Sequence, residues 1–148
     1  MGSLWDSNAV DEMLARFDRL TPDTKPRWGR FTCPDMVAHL NQSLRMCLGD
    51  ITPAPKKRPF RFFPLKQLVL YVFPFPKGVP TAPELISRNG QAVWAEEVKT
   101  FRELMARFAA RSGDTHWPPH PLFGSMNRRS WGVLAHKHFS HHFTQFGV

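Results

Sequence analysis

Thr32-Cys-Pro34-Asp-Met36-Val37-Ala-His39-Leu40-Asn-Gln-Ser-Leu44-Arg-Met-Cys47-Leu48-Gly49 reads as one helix with both of its ends marked. Thr32 suits the N-cap, Pro34 fits a first turn where its missing N–H is harmless, and Gly49 suits the left-handed C-terminal position. Between them Met36, Val37, Leu40, Leu44, Cys47 and Leu48 form one apolar stripe. The same spacing recurs on either side. Val10, Met13, Leu14, Phe17 and Leu20 predict a first helix with Ser7 as its N-cap and Pro22 just beyond it. A third follows Asn89-Gly90 and carries Val93, Trp94, Val98, Phe101, Leu104, Met105 and Phe108, ending near Ser112-Gly113. A fourth starts after Asn127 as its cap and runs through Trp131, Leu134, His138, Phe139, His142 and Phe146 to Gly147.

Residues 50–88 separate the second and third helices, and they hold Pro53, Pro55, Pro59, Pro64, Pro74, Pro76, Pro80 and Pro83. Prolines so spaced would each remove a ladder donor from a sheet, which excludes strands there. The expected structure is an ordered crossover with one short helix near Leu65–Val72, lying over one end of the helices. Four helices with one long connection define an all-α four-helix bundle that is not simply up and down. The 148 residues, 42% of them hydrophobic, suffice for one domain spanning 1–148.

No uninterrupted run of about 18 apolar residues is present, so no membrane span is expected. The start, Met1-Gly2-Ser3-Leu4-Trp5-Asp6, lacks a basic and apolar secretion signal, and Asp6 stands where a myristoylation motif needs Ser or Thr; a cytoplasmic location is the default expectation. Two cysteines are too few for a disulfide scaffold. The net charge of +8 is partly local, with Lys56, Lys57, Arg58, Arg61 and Lys66 in one stretch interleaved with Phe60, Phe62 and Phe63. Such a pattern suits base stacking over a phosphate track, or an anionic membrane surface. The expected arrangement is plainer: phenylalanines turned into the core and cations left in water. A non-enzymatic binding module, using the basic 56–66 loop for nucleic acid or an acidic partner, is the alternative function.

His136-Lys-His138-Phe-Ser-His141-His142 is the stretch richest in chemistry. Four residues apart on a helix, His138 and His142 stand one above the other and can bind one cation, or can equally be an ordinary satisfied or exposed pair. His39, on the second helix beside Leu40 and three residues after Met36, is the only histidine on another predicted helix. Three neutral imidazoles around a divalent ion leave positions for water, whose pKa the ion lowers, or for a thiolate. His141 adjoins the pair and is a further candidate ligand; His136 lies about 200° from His138 and faces away. His116 and His120 read as packing or capping groups of the 114–126 loop. Asp35 can orient His39, though an acid in a first turn is favoured by the helix dipole in any case. Glu96 and Glu97 are candidates for a fourth ligand or a base, and Gln145 for a hydrogen bond to ligand or bound water. Cys33, at a helix start, is expected to have a lowered thiol pKa, whereas Cys47 is core.

Several blocks carry a family resemblance: Thr21-Pro-Asp-Thr-Lys-Pro-Arg-Trp28-Gly, Met36-Val-Ala-His39-Leu, Pro74-Phe-Pro-Lys-Gly-Val-Pro-Thr-Ala-Pro83, His120-Pro-Leu-Phe-Gly, Trp131-Gly, and His138-Phe-Ser-His-His142-Phe-Thr-Gln-Phe-Gly147. In this order, over nearly the whole chain, they resemble an uncharacterised bacterial branch of the DinB-like superfamily. The resemblance implies a four-helix bundle of up-down-down-up topology. It also implies a divalent metal held by one histidine of the second helix and an H-x-x-x-H pair of the fourth, here His39, His138 and His142; three imidazoles suit zinc or nickel. Relatives of that superfamily include thiol-dependent S-transferases and a mycothiol-dependent isomerase. The implied activity is therefore a metal-dependent transferase or hydrolase using a metal-activated thiol or water, with a small-molecule substrate, a low-molecular-weight thiol cofactor, and a homodimer as the assembly. The basic loop would then raise the local concentration of an anionic substrate or thiol.

Overall fold

The structure is a computed structural model that describes residues 1–57, 59–78 and 92–148. Among these residues the regular structure is helical: α1 (Ser7–Phe17), α2 (Cys33–Leu48), a 3-10 turn (Pro59–Arg61), α3 (Leu65–Gln67) running directly into a π turn (Leu68–Val72), α4 (Trp94–Ala110) and α5 (Arg128–Gln145). Extended pairing among them is confined to one bridge, where His120 and Gly124 exchange backbone hydrogen bonds of 2.8 Å. Pro80, Pro83 and the Asn89-Gly90 start expected for the third helix lie outside the described residues.

The helix ends follow from local chemistry. Thr32 Oγ1 accepts the Asp35 N–H at 3.2 Å, and Gly49, at φ +82°, lets the Asp50 N–H turn back to the Arg45 carbonyl at 2.8 Å. Asn127 Oδ1 accepts the Ser130 N–H at 2.8 Å to open α5, which ends at Gln145 with Gly147 at φ +79°. The cap of α1 is Asp6, whose carboxylate accepts the Asn8 N–H at 3.0 Å; Ser7, expected in that role, is the first helical residue. Both types accept equally well at an N-cap, so the composition left the choice open by one position. Val93 precedes α4 without a side-chain cap, and α4 stops at Ala110, just short of Ser112-Gly113.

One hydrophobic core joins the four long helices. Phe17 of α1 stacks on Phe101 of α4 with centroids 4.2 Å apart, and Phe101 in turn meets Phe139 of α5 at 5.6 Å. Met36, Val37, Leu40 and Leu44 present the predicted stripe of α2 to the same interior. Arg16 ties α1 to the end of α5 through the Thr144 hydroxyl at 3.1 Å and the Val148 carbonyl at 2.9 Å. The crossover seats itself on α5: Leu70 is buried in the core, Tyr71 Oη lies 2.9 Å from Ser130 Oγ, and Lys137 Nζ donates to the Val69 carbonyl at 2.6 Å. A π turn leaves carbonyls turned out of the helix pattern, and Lys137 satisfies them.

One expectation about this crossover is overturned. Phe60 packs half-buried on the core, but Phe62 is 66% exposed and Phe63 81% exposed, so two of the three phenylalanines face water. Three such rings in a four-residue span around Pro59 and Pro64 cannot all reach one interior from a tight 3-10 turn.

Candidate metal centre

α2 and α5 bring three imidazoles to one point. His39 Nε2 lies 2.9 Å from His138 Nε2, which lies 3.1 Å from His142 Nε2, and the ligand nitrogens of all three fall within 4.8 Å of one another. The rings meet edge to face, with centroids 4.8 to 4.9 Å apart. The four-residue spacing of His138 and His142 stacks them on one face of α5, and the stripe of α2 that buries Leu40 and Val37 turns His39 toward them.

A second layer fixes these rings. Gln145 Nε2 donates to the Trp28 carbonyl at 2.8 Å, which leaves its Oε1 to face His142 Nδ1 at 2.7 Å. An amide oxygen can only accept, so His142 Nδ1 carries the proton and Nε2 turns a bare lone pair toward the other two histidines. Gly29 makes this approach possible: at φ +83° it adopts a backbone that side chains disfavour, and a Cβ there would stand 2.6 Å from Gln145 Nε2. Phe31 lies against the cluster, stacked on the His39 ring at 5.3 Å and edge-on to His142 at 5.8 Å. Phe75 of the crossover stands 6.2 Å from the His138 ring.

The electrostatics favour the ligand form. Burial pushes His142 down to about 3, with His39 and His141 adding to the effect and the Gln145 bond opposing it. His138 is held well below the ordinary histidine range, first by burial and then by the neighbouring His142, His39 and His141 rings. Near neutral pH these two rings are uncharged, and the His142 Nε2 lone pair is directed at the point the three rings share. Imidazoles on one tetrahedral ion at 2.0–2.1 Å place their nitrogens about 3.3 Å apart, close to the 2.9 and 3.1 Å observed. Three histidines so arranged can hold a divalent cation.

The remaining candidates fall elsewhere. Glu96 is exposed, and Glu97 Oε2 accepts from Asn41 Nδ2 at 2.7 Å, so neither carboxylate joins the cluster. Gln145 works from behind His142 rather than facing a ligand. His141 lies beside the cluster, between Trp28 at 5.9 Å and Phe75 at 6.1 Å, and burial lowers its pKa. His136 packs against Gly2, away from the three. His120 Nδ1 accepts the Leu122 N–H at 3.0 Å, capping its own loop, and His116 is exposed. Asp35, one turn before His39, is in the first turn of α2, where its backbone N–H donates to Thr32 Oγ1. Cys33 departs from its expected activation: burial pushes its thiol up to about 12, which outweighs the helix dipole. Cys47 is fully enclosed and raised likewise.

A buried three-histidine cluster between two helices of an all-helical chain is the class of site defined here. The chain belongs to the family described as protein of unknown function (DUF1569), whose model matches residues 5–147 and so includes all three histidines. No curated protein and no solved structure matches it.

Proposed function

We propose that this protein is a DinB-like metal-dependent enzyme, a four-helix bundle of up-down-down-up topology in which His39, His138 and His142 hold a divalent cation. The observation that carries this reading is the convergence of three imidazole Nε2 atoms at 2.9 and 3.1 Å, with Gln145 fixing the tautomer of His142. An all-imidazole donor set suits zinc or nickel. Such an ion supplies a nucleophile at neutral pH by favouring thiolate over thiol or hydroxide over water, which fits an S-transferase or hydrolase. The chain's own residues do the rest. Phe31 and Phe75 keep bulk water from the cluster, Gln145 and Trp28 hold His142 in orientation, and His141 stands where it can exchange a proton with a bound substrate.

The test is a panel of low-molecular-weight thiols with electrophilic acceptors, together with simple esters, assayed on protein stripped by chelator and on protein restored with zinc or nickel. Turnover that appears only after restoration, and is absent from His138→Ala, supports the proposal. Turnover equal in stripped and restored protein overturns it.

A further inference from the structure

Between Asp50 and Glu84 the chain contains no acidic residue, yet it carries Lys56, Lys57, Arg58, Arg61, Lys66 and Lys77. These six cations account for most of the net charge of +8. The same segment holds the exposed apolar side chains of the crossover. Phe62 and Phe63, next to Pro64, are 66% and 81% exposed, and Val72 and Phe73, next to Pro74, are 64% and 51% exposed. The two apolar corners flank a single helical unit, α3 with its π turn, which is about 12 Å long at the rise of an α-helix. Leu70 of that unit is buried and Tyr71 is bonded to Ser130, so the unit is docked on α5 by one side while its ends project into water. Apolar groups this exposed, on a segment otherwise well anchored, forgo the favourable transfer out of water that burial against a partner surface would supply.

We propose that the 56–77 crossover is a membrane-interface element, which inserts Phe62, Phe63, Val72 and Phe73 among the headgroups of an anionic bilayer while its lysines lie in the negative surface potential. Charge decides between occupants of this face. A second copy of the chain would bring six like charges against six, so self-association through it is repelled. Sequence-specific recognition of nucleic acid needs directed contacts to phosphates and base edges. Here Arg61 Nη2 donates to the Lys56 carbonyl at 3.3 Å, and Lys66 donates to the Ser125 carbonyl, so both are turned toward the protein's own backbone. A lipid surface needs no directed contact: its potential acts on lysines held nearby, including the exposed Lys57 and also Lys77, which stays exposed although its Nζ stands 4.3 Å from the Trp28 ring centroid. It also accepts aliphatic Val72 as readily as a phenyl ring, which base stacking does not. No helix among the described residues is long and apolar enough to cross a membrane, so the association is with one face of the bilayer.

Sedimentation of the full chain with vesicles tests this. Binding is expected to vesicles of phosphatidylcholine with about a third phosphatidylserine, to be far weaker with phosphatidylcholine alone, and to fall as salt is raised. Phe62→Ala with Phe63→Ala should cut the partition coefficient roughly tenfold or more, at unchanged helicity by circular dichroism, because two exposed rings leave the interface. Phe62→Trp with Phe63→Trp should retain it, since indoles favour the same depth. Absence of binding to the anionic vesicles, binding indifferent to the alanine pair, or tight capture of a single-stranded oligonucleotide in place of vesicles would each overturn the proposal.

Discussion

Gln145 shows how one side chain sets the chemistry of another. Its amide is oriented by the Trp28 carbonyl, so its oxygen must face His142 Nδ1, and the tautomer of the ring follows. Gln145→Leu keeps the bulk and removes the acceptor, freeing His142 to protonate either nitrogen. Divalent-metal affinity measured by competition with a chromophoric chelator should fall about ten- to a hundredfold, with the helical signal unchanged. Affinity equal to that of the unaltered chain would show that the bond does not orient the ligand. The histidine pair itself was legible from its four-residue spacing, and His39 from its place on the stripe of α2. The part played by Gln145 was legible only as a position on the right face, because its partner is a backbone carbonyl 117 residues away in the chain. Cys33 misled for a related reason: a helix start is visible in sequence, whereas burial at 1% exposure is a property of the packed core.

At the scale of elements, caps and stripes announced the helices. Thr32, Gly49 and Asn127 take the positions their chemistry demanded. The crossover was legible as a proline-rich segment with one short helix, but the direction of each phenylalanine was not, since a three-residue turn has no periodicity to read. Leu70 is its anchor. Leu70→Ala should destabilise the protein by roughly 2–5 kcal/mol in denaturant unfolding, the range for emptying a buried leucine site. A loss below about 0.5 kcal/mol would mean that the crossover contributes nothing to the cooperative core.

For the whole molecule, the lowered histidines couple stability to pH. His142 and His120 are pushed to about 3 by burial, and His138 is lowered in the same direction. In the unfolded chain each returns to the ordinary value near 6.5. Below that value the unfolded state binds protons that the folded state refuses, so stability is level above pH 7 and falls as pH drops from 6.5 toward 3. For the enclosed His142 ring alone, the loss by pH 4.5 is about 3 kcal/mol. Urea unfolding across this range should show the decline, and His142→Phe should shallow it. A flat profile would show that these rings are not buried in their neutral form.

The same neutrality makes the cluster a ligand set, and metal content tests that most directly. Elemental analysis of the untagged chain, purified and then dialysed after exposure to zinc and nickel salts, should find about one divalent ion per chain, falling to background in His138→Ala with His142→Ala. Protein that retains no ion, or ion content unaffected by the double substitution, would contradict a metal centre at His39, His138 and His142.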